Sequence, residues 1–275
     1  MVNDTNKLIS MAKEGDRDAL ESIIKSIQDR IYRLALKMLY QPQDAEDATQ
    51  EILIRIITKL DSFRQESSFA TWAITIAVNH LKNKKQNQKE NWFTFKRCEA
   101  AILKEIPDPS TLNYFKAEQN LVVEEMRIKC MQGLLQCLDV DHRFAYILGS
   151  TMGLNGPEGA AIMGITSAAF RKRLSRARES LRHFLTVHCD LFNGKNACNC
   201  ASQAMSAINR GNIKSKHLKF AGKTVSSPVV SDVESELAAL DTISREIALM
   251  RMNQDFQAPA MFIERVKQII DDRIG

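Results

Sequence analysis

No run of about 18 apolar residues occurs in the chain, so no membrane span is expected. The N-terminus, Met1-Val2-Asn3-Asp4-Thr5-Asn6-Lys7, lacks the basic-then-apolar build of a secretion signal, and a cytoplasmic location is expected. Glycine and proline are few, 11 and 6 of 275 residues, which excludes a collagen-like or linker-dominated chain. Aromatic residues make up only 7%, and strict apolar–polar alternation is scarce, so the pattern argues against an all-β fold. Six cysteines in a cytoplasmic chain do not imply a disulfide framework. None of the patterns G-x-G-x-x-G, G-x-x-x-x-G-K-[ST], G-x-S-x-G or H-E-x-x-H appears, and His80, His142, His183 and His217 are isolated. Nothing argues for catalysis, so no enzyme is expected.

What is present is ordinary for a soluble globular protein, with 44% hydrophobic and 26% charged residues. The length allows about two small domains plus an extension. The net charge of +5 says less than its distribution. In residues 16–39 apolar side chains recur at Leu20, Ile23, Ile24, Ile27, Ile31, Leu34, Ala35 and Met38, the spacing of an amphipathic helix. A break at Gln41-Pro42-Gln43 leads to a second helix from Asp44, with Asp44, Glu46, Asp47 and Glu51 near its start, where the helix dipole favours acids. Its apolar stripe runs through Ala48, Ile52, Leu53, Ile56, Ile57 and Leu60. The polar stretch 61–68 precedes a third helix that starts apolar and turns basic after Val78. Residues 86–112 read as a linker, with Pro107 and Pro109, and with Trp92, Phe93 and Phe95 as rings that can dock it. Helical spacing resumes at 112–138 and 140–152.

Residues 157–187 read as a helix-turn-helix. A short helix spans about 157–162, Gly164 supplies a positive φ, and Thr166 or Ser167 caps a longer helix. That helix carries Arg171, Lys172, Arg173, Arg176, Arg178 and Arg182 against one acid, Glu179. Six bases to one acid on the second helix of this motif point to DNA, whose major groove admits a helix. The carboxylates at 44–51 read as capping, a solvated face or a docking surface. Phe63, Phe69 and Trp72 beside the basic run read as core first, and as base-stacking rings second. Helical stretches are also expected near 232–252 and 259–273.

The segment DAEDATQEILIRIITKLDSFRQESSFATWAITIAVNHLKNKK resembles region 2 of the sigma-70-type factors of bacterial RNA polymerase, and more narrowly their extracytoplasmic-function (ECF) group. GITSAAFRKRLSRARESLR resembles region 4. The resemblance implies an all-α chain with region 2 at 1–90, a linker at 91–124, region 4 at 125–187 and an extension at 188–275. It implies that Asp44, Glu46, Asp47, Gln50 and Glu51 dock on core polymerase at its clamp helices. It gives the −10 promoter element to Arg64, Ser67, Phe69, Trp72, Asn79, Lys82, Lys84 and Lys85. It gives the −35 element to Thr166, Ser167, Ala168, Ala169, Arg171, Lys172, Arg173 and Arg176. Polymerase core (clamp helices and flap) and promoter DNA are the implied partners; an anti-sigma factor is left open. Three departures stand out: Asn155-Gly156-Pro157-Glu158-Gly159 opens the motif in place of the commoner [SY]-x-E-E-I-A, Phe170 replaces a β-branched residue, and Lys172 a Ser.

The extension resembles the tails of many ECF factors, through His188-Cys189-Asp190-Leu191-Phe192-Asn193 with Cys198 and Cys200, and later Phe256-Gln257-Ala258-Pro259. No cofactor is required, but His188, Cys189, Cys198 and Cys200 make a candidate zinc set, against reduced structural or redox-reactive thiols. The rival readings are a stand-alone helix-turn-helix regulator and a metal-sensing DNA-binding protein.

Overall fold

The structure, a computed structural model, describes residues 2–86, 93–104, 117–214, 217–221, 237, 240–251, 256–259, 262, 264 and 268. It is all-α, as expected; Cys189 and Cys198 form an isolated β-bridge, and the described residues contain no strand. The helices are α1 (Val2–Lys13), α2 (Arg17–Leu39), α3 (Pro42–Thr58), α4 (Phe69–Gln86), α5 (Phe95–Lys104), α6 (Ala117–Gln136), α7 (Val140–Tyr146), α8 (Gly156–Met163), α9 (Ser167–His188), α10 (Cys200–Asn209) and α11 (Thr242–Arg251). Contacts group them into two compact units: residues 1–89, 155–170 and 257–275, and residues 90–154 and 171–256.

In the first unit, α2 begins where the Asp16 side chain accepts from the Ala19 N–H at 2.9 Å, which satisfies one of the amides a helix start leaves open. It ends at Tyr40, whose φ of 70° stops the helical run. The whole expected stripe from Leu20 to Met38 is buried. At about 1.5–3 kcal/mol per fully buried aliphatic side chain, that stripe is the main force holding α2 in place. Helix α3 starts at Pro42 rather than Asp44, because proline's fixed φ and missing N–H cost nothing in a first turn. It packs against α2 and buries Ala45, Ala48, Ile52, Leu53 and Ile56. Helix α4 contributes Ala73, Ile74, Ala77, Val78 and Leu81. Helix α1 buries Ile9 and Ala12 and packs against α2; its apolar residues are too few to mark it out in the sequence.

In the second unit, the core joins Met131, Leu134 and Leu135 of α6, Tyr146 of α7, Leu181, Phe184 and Leu185 of α9, and Leu249 and Met250 of α11. The expected linker contains a helix that its pattern does not show: α5 lays Phe95, expected as a docking ring, together with Cys98 and Ile102 on this core. Spacings of three and four residues put those side chains on one face. Nor is the extension a separate body. Glu246 of α11 is fully buried and meets Arg182 of α9 at 3.1 Å. Arg251 Nε donates to the Ser150 carbonyl at 2.9 Å. On α6, the buried Glu125 carboxylate accepts the backbone amides of Lys219 (3.1 Å), Phe220 (2.7 Å) and Ala221 (2.9 Å), while Ala204 and Ala207 of α10 pack with Val122 and Val123. The expected helix at 259–273 falls largely outside the described residues.

Candidate nucleic-acid interface

The helix-turn-helix is built by local rules. Asn155 caps α8 in a capping box: its Oδ1 accepts from the Glu158 N–H at 3.0 Å, and Glu158 Oε2 accepts from the Asn155 N–H at 3.0 Å. At the far end Gly164 takes φ 66°. Its N–H reaches Ala161 O, and the Ile165 N–H reaches Ala160 O at 3.0 Å, a Schellman closure that needs a residue tolerant of positive φ. Thr166 Oγ1 then accepts from the Ala169 N–H at 3.2 Å and starts α9.

Two of the three departures, at Gly159 and Phe170, are a single packing feature. Phe170 is fully buried, and a Cβ on Gly159 would lie 2.2 Å from its Cζ. The absent side chain of one residue is the space occupied by the ring of the other.

Helix α9 divides its charge between two faces. Thr166, Ala168, Arg171, Lys172 and Arg176 are exposed, and Ser175, which sequence reasoning missed, shares their face. The spacing 168, 171, 172, 175, 176 is the signal that finds it. The other bases turn inward. Arg173 pairs with Asp141 at 3.0 Å, Arg178 Nε donates to Ser150 Oγ at 2.9 Å, and Arg182 holds Glu246. Arg173, one of the −35 candidates, thus holds an ion pair to α7 in this structure and is only half-exposed. Ser167 and Ala169 are half-buried.

Around α4 the polar loop 64–68 is exposed, including Arg64 and Ser67, and it is anchored at both ends. Lys13 Nζ donates to the Phe63 carbonyl at 2.8 Å, and Ser68 Oγ caps α4 at the Thr71 N–H, 3.1 Å away. Phe69 departs from its expected role. It is buried, and its ring lies 5.8 Å from both Phe63 and Trp72, so it holds the loop and is not presented to a base. Trp72 is half-buried. Asn79 is exposed. Helix α8 packs on α4, and Lys82 Nζ donates to the Met163 carbonyl at 3.3 Å, where the end of α8 favours a cation. Lys84 lies 3.7 Å from Glu51. The Lys85 side chain lies outside the described residues.

On α3, Asp47 and Glu51 are exposed and Asp44, Glu46 and Gln50 partly so, opposite the buried stripe. Glu51 is engaged with α4 through Lys84 and through His80 Nε2 at 3.3 Å. Burial first, then Arg55, depress the His80 imidazolium, and Glu51 opposes them; the ring is held toward its neutral form.

The C-terminal thiols gather more widely than the sequence indicates. Cys189 and Cys198 are bridged through Asp190 N–H to Cys198 O (3.2 Å) and Cys198 N–H to His188 O (3.3 Å). Burial pushes Cys189 up to about 11 and Cys198 up to about 12. Burial also raises Cys130 of α6, reinforced by Cys198, Cys200 and Cys189, so Cys130 joins this neighbourhood from 59 residues upstream of Cys189. Nothing in the sequence around Cys130 signals that. His188 is occupied elsewhere, with its ring 4.6 Å from Phe184 and its Nε2 3.8 Å from Glu99. Among the described residues no three His, Cys, Asp or Glu side chains converge closely enough to hold an ion.

The family described as Sigma-70 region 2 matches residues 23–90, the stretch from α2 through α4. Among known proteins, the chain is similar to the ECF RNA polymerase sigma factor SigW of Bacillus subtilis, 28% identical over 176 residues, which cover 64% of this chain and 94% of SigW. It is similar to the ECF RNA polymerase sigma-E factor of Escherichia coli K12, 31% identical over 183 residues, which cover 63% of this chain and 90% of the relative. A co-crystal structure of the sigma factor RpoE with the anti-sigma factor NepR from Bartonella quintana shares 22% identity at a TM-score of 0.42, covering 60% of this chain and 96% of that one. With a relative 31% identical across 90% of its length, and region 2 matched on the helices that carry the acidic and polar faces, the chain belongs to the ECF group of RNA polymerase sigma factors.

Proposed function

We propose that this chain recruits bacterial RNA polymerase core to promoters, placing α9 on the −35 duplex and capturing −10 bases on the exposed loop 64–68 and the polar side of α4. The outward stripe of α9 carries the reading. Its cations face solvent at the end of a helix whose remaining bases are consumed in packing, the division expected of a groove reader with phosphate contacts. The polymerase performs the chemistry, in the cytoplasm; this chain supplies recognition, with its acidic α3 face as the docking surface. Unstacking a base costs a few kcal/mol, which contacts along the loop and Asn79 offset.

The test is run-off transcription with purified core polymerase on a promoter with an intact or a scrambled −35 element. Arg171→Ala should lower use of the intact promoter by about tenfold or more, since a base contact is worth about 1–3 kcal/mol, and leave the scrambled promoter unchanged. Arg173→Ala should lower both by a similar factor, because it removes the Asp141 pair that seats α9 on α7. An equal loss on both promoters for Arg171→Ala would show that α9 does not read the element.

Of the two readings of the Cys cluster, a zinc set of His188, Cys189, Cys198 and Cys200 or reduced structural thiols, the second is the better supported, since no three donors converge among the described residues. As placed, these thiols do not close around an ion, so no step of recruitment is routed through one. Protein purified anaerobically should therefore carry no stoichiometric zinc, and Cys130→Ser should alter stability without altering metal content. About one zinc per chain, lost in Cys200→Ser, would overturn that reading and restore the metal set.

A further inference from the structure

One part of the first unit comes from the far end of the chain. The Ala258 N–H donates to Asp29 Oδ1 of α2 at 2.9 Å. Close by in sequence, the Phe262 N–H closes a turn onto the Pro259 carbonyl at 2.9 Å, which aims the Phe262 side chain at the same helix. Phe262 is 2% exposed, and its ring meets Tyr32 edge to face with centroids 6.2 Å apart. Asp29 and Tyr32 are three residues apart, so they share one face of α2. That face borders the start of α3: burial and then the nearby Glu46 carboxylate raise the Tyr32 phenol to about 12. Glu46 is one of the acids assigned above to polymerase docking. A segment distant in the chain thus covers the flank of the docking surface with a directed hydrogen bond and a buried ring, where a solvated tail would make neither contact. The two sigma relatives match only 64% and 63% of this chain, so a large part of it has no counterpart in their alignments.

We propose that Ala258 and Phe262 are a built-in occupant of region 2, which polymerase must displace from Asp29 and Tyr32 before it can engage the α3 face. The proposal rests on the assignment of α3 as the polymerase-docking surface. The measured affinity of the full-length protein for core polymerase is then reduced by the fraction of molecules with the segment seated, and any signal that lifts the extension raises activity without altering the DNA-reading residues.

The experiment compares full-length wild type, Phe262→Ala and Ala258→Pro. The first variant removes the ring and the second removes the donated N–H, and both leave region 2 itself unaltered. Hydrogen exchange of residues 27–33 reports seating, and titration with purified core polymerase reports competition. Faster exchange on α2 together with affinity tighter by about fivefold or more in both variants is the expected result. Faster exchange with unchanged or weaker affinity overturns the competition, and unchanged exchange overturns the docking. If wild type and variants all fail to bind polymerase, the reading of the α3 face falls and this proposal with it. A wild type that binds and variants that bind equally well remove only the proposal.

Discussion

Gly159→Ala should disable the −35 reader although the residue touches no DNA. The added Cβ would lie 2.2 Å from Phe170 Cζ and 2.4 Å from its Cε2, and the ring is fully buried, so it has no free space to move into. Overpacking of this kind costs about 1–3 kcal/mol and occasionally more. The upper end applies here, because ring and backbone are both held by helices. The expected result is a loss of about 3 kcal/mol in urea unfolding and at least a tenfold fall, roughly, in −35-dependent transcription as α8 and the start of α9 lose their register. Phe170→Val alone should also destabilise, by about 1–3 kcal/mol, through the cavity it leaves. The double variant should be more stable than the sum of the two losses predicts, since each change relieves what the other disturbs. Additive losses would show that the two positions are independent.

Asp47→Lys should weaken binding to core polymerase by about a hundredfold, because a reversed charge facing a basic partner costs several kcal/mol. Helix content should stay unchanged, since Asp47 is exposed on α3 opposite Ala45, Ala48 and Ile52. Glu51→Lys makes an instructive contrast: it also breaks the contacts to His80 and Lys84, so it should lower the unfolding midpoint as well as polymerase affinity. A titration in which Asp47→Lys binds as wild type would remove this face from the docking surface.

Features set by neighbours in the chain are legible in the residues alone. The stripe of α2, the acids of α3, the turn at Gly164 and the cap at Thr166 each follow from the spacing or chemistry of a few consecutive residues, and each lies where that chemistry puts it. The features that escape such a reading depend on partners distant in the chain. A basic helix shows six cations, but which of them are held by the scaffold depends on Asp141, Ser150 and Glu246, and spacing does not show that Arg173 is paired to α7. Spacing favours a core place for Phe69, and the resemblance alone sends it to a base; Phe63 and Trp72, packed against its ring, agree with the spacing. Helix α5 hides in a stretch flanked by breaks because its three anchoring side chains acquire meaning only from the core beneath them. Cys130 illustrates the limit: a lone thiol in a helical pattern carries no mark of the three cysteines that neighbour it in the fold. In the motif's opening, both unusual residues are visible in the chain, but not that one compensates the other.

The division of α9 into two faces bears on how such a protein diversifies. Arg173, Arg178 and Arg182 are locked to Asp141, Ser150 and Glu246, whereas residues 168, 171, 172, 175 and 176 face solvent. Under the proposed −35 role, substitutions in the second group would change which sequences are recognised and leave the scaffold's own contacts intact, because exposed positions away from caps and pairs usually shift stability by less than about 0.5 kcal/mol. A duplicated copy of this gene can therefore drift toward a new set of target promoters one residue at a time, with every intermediate still folded.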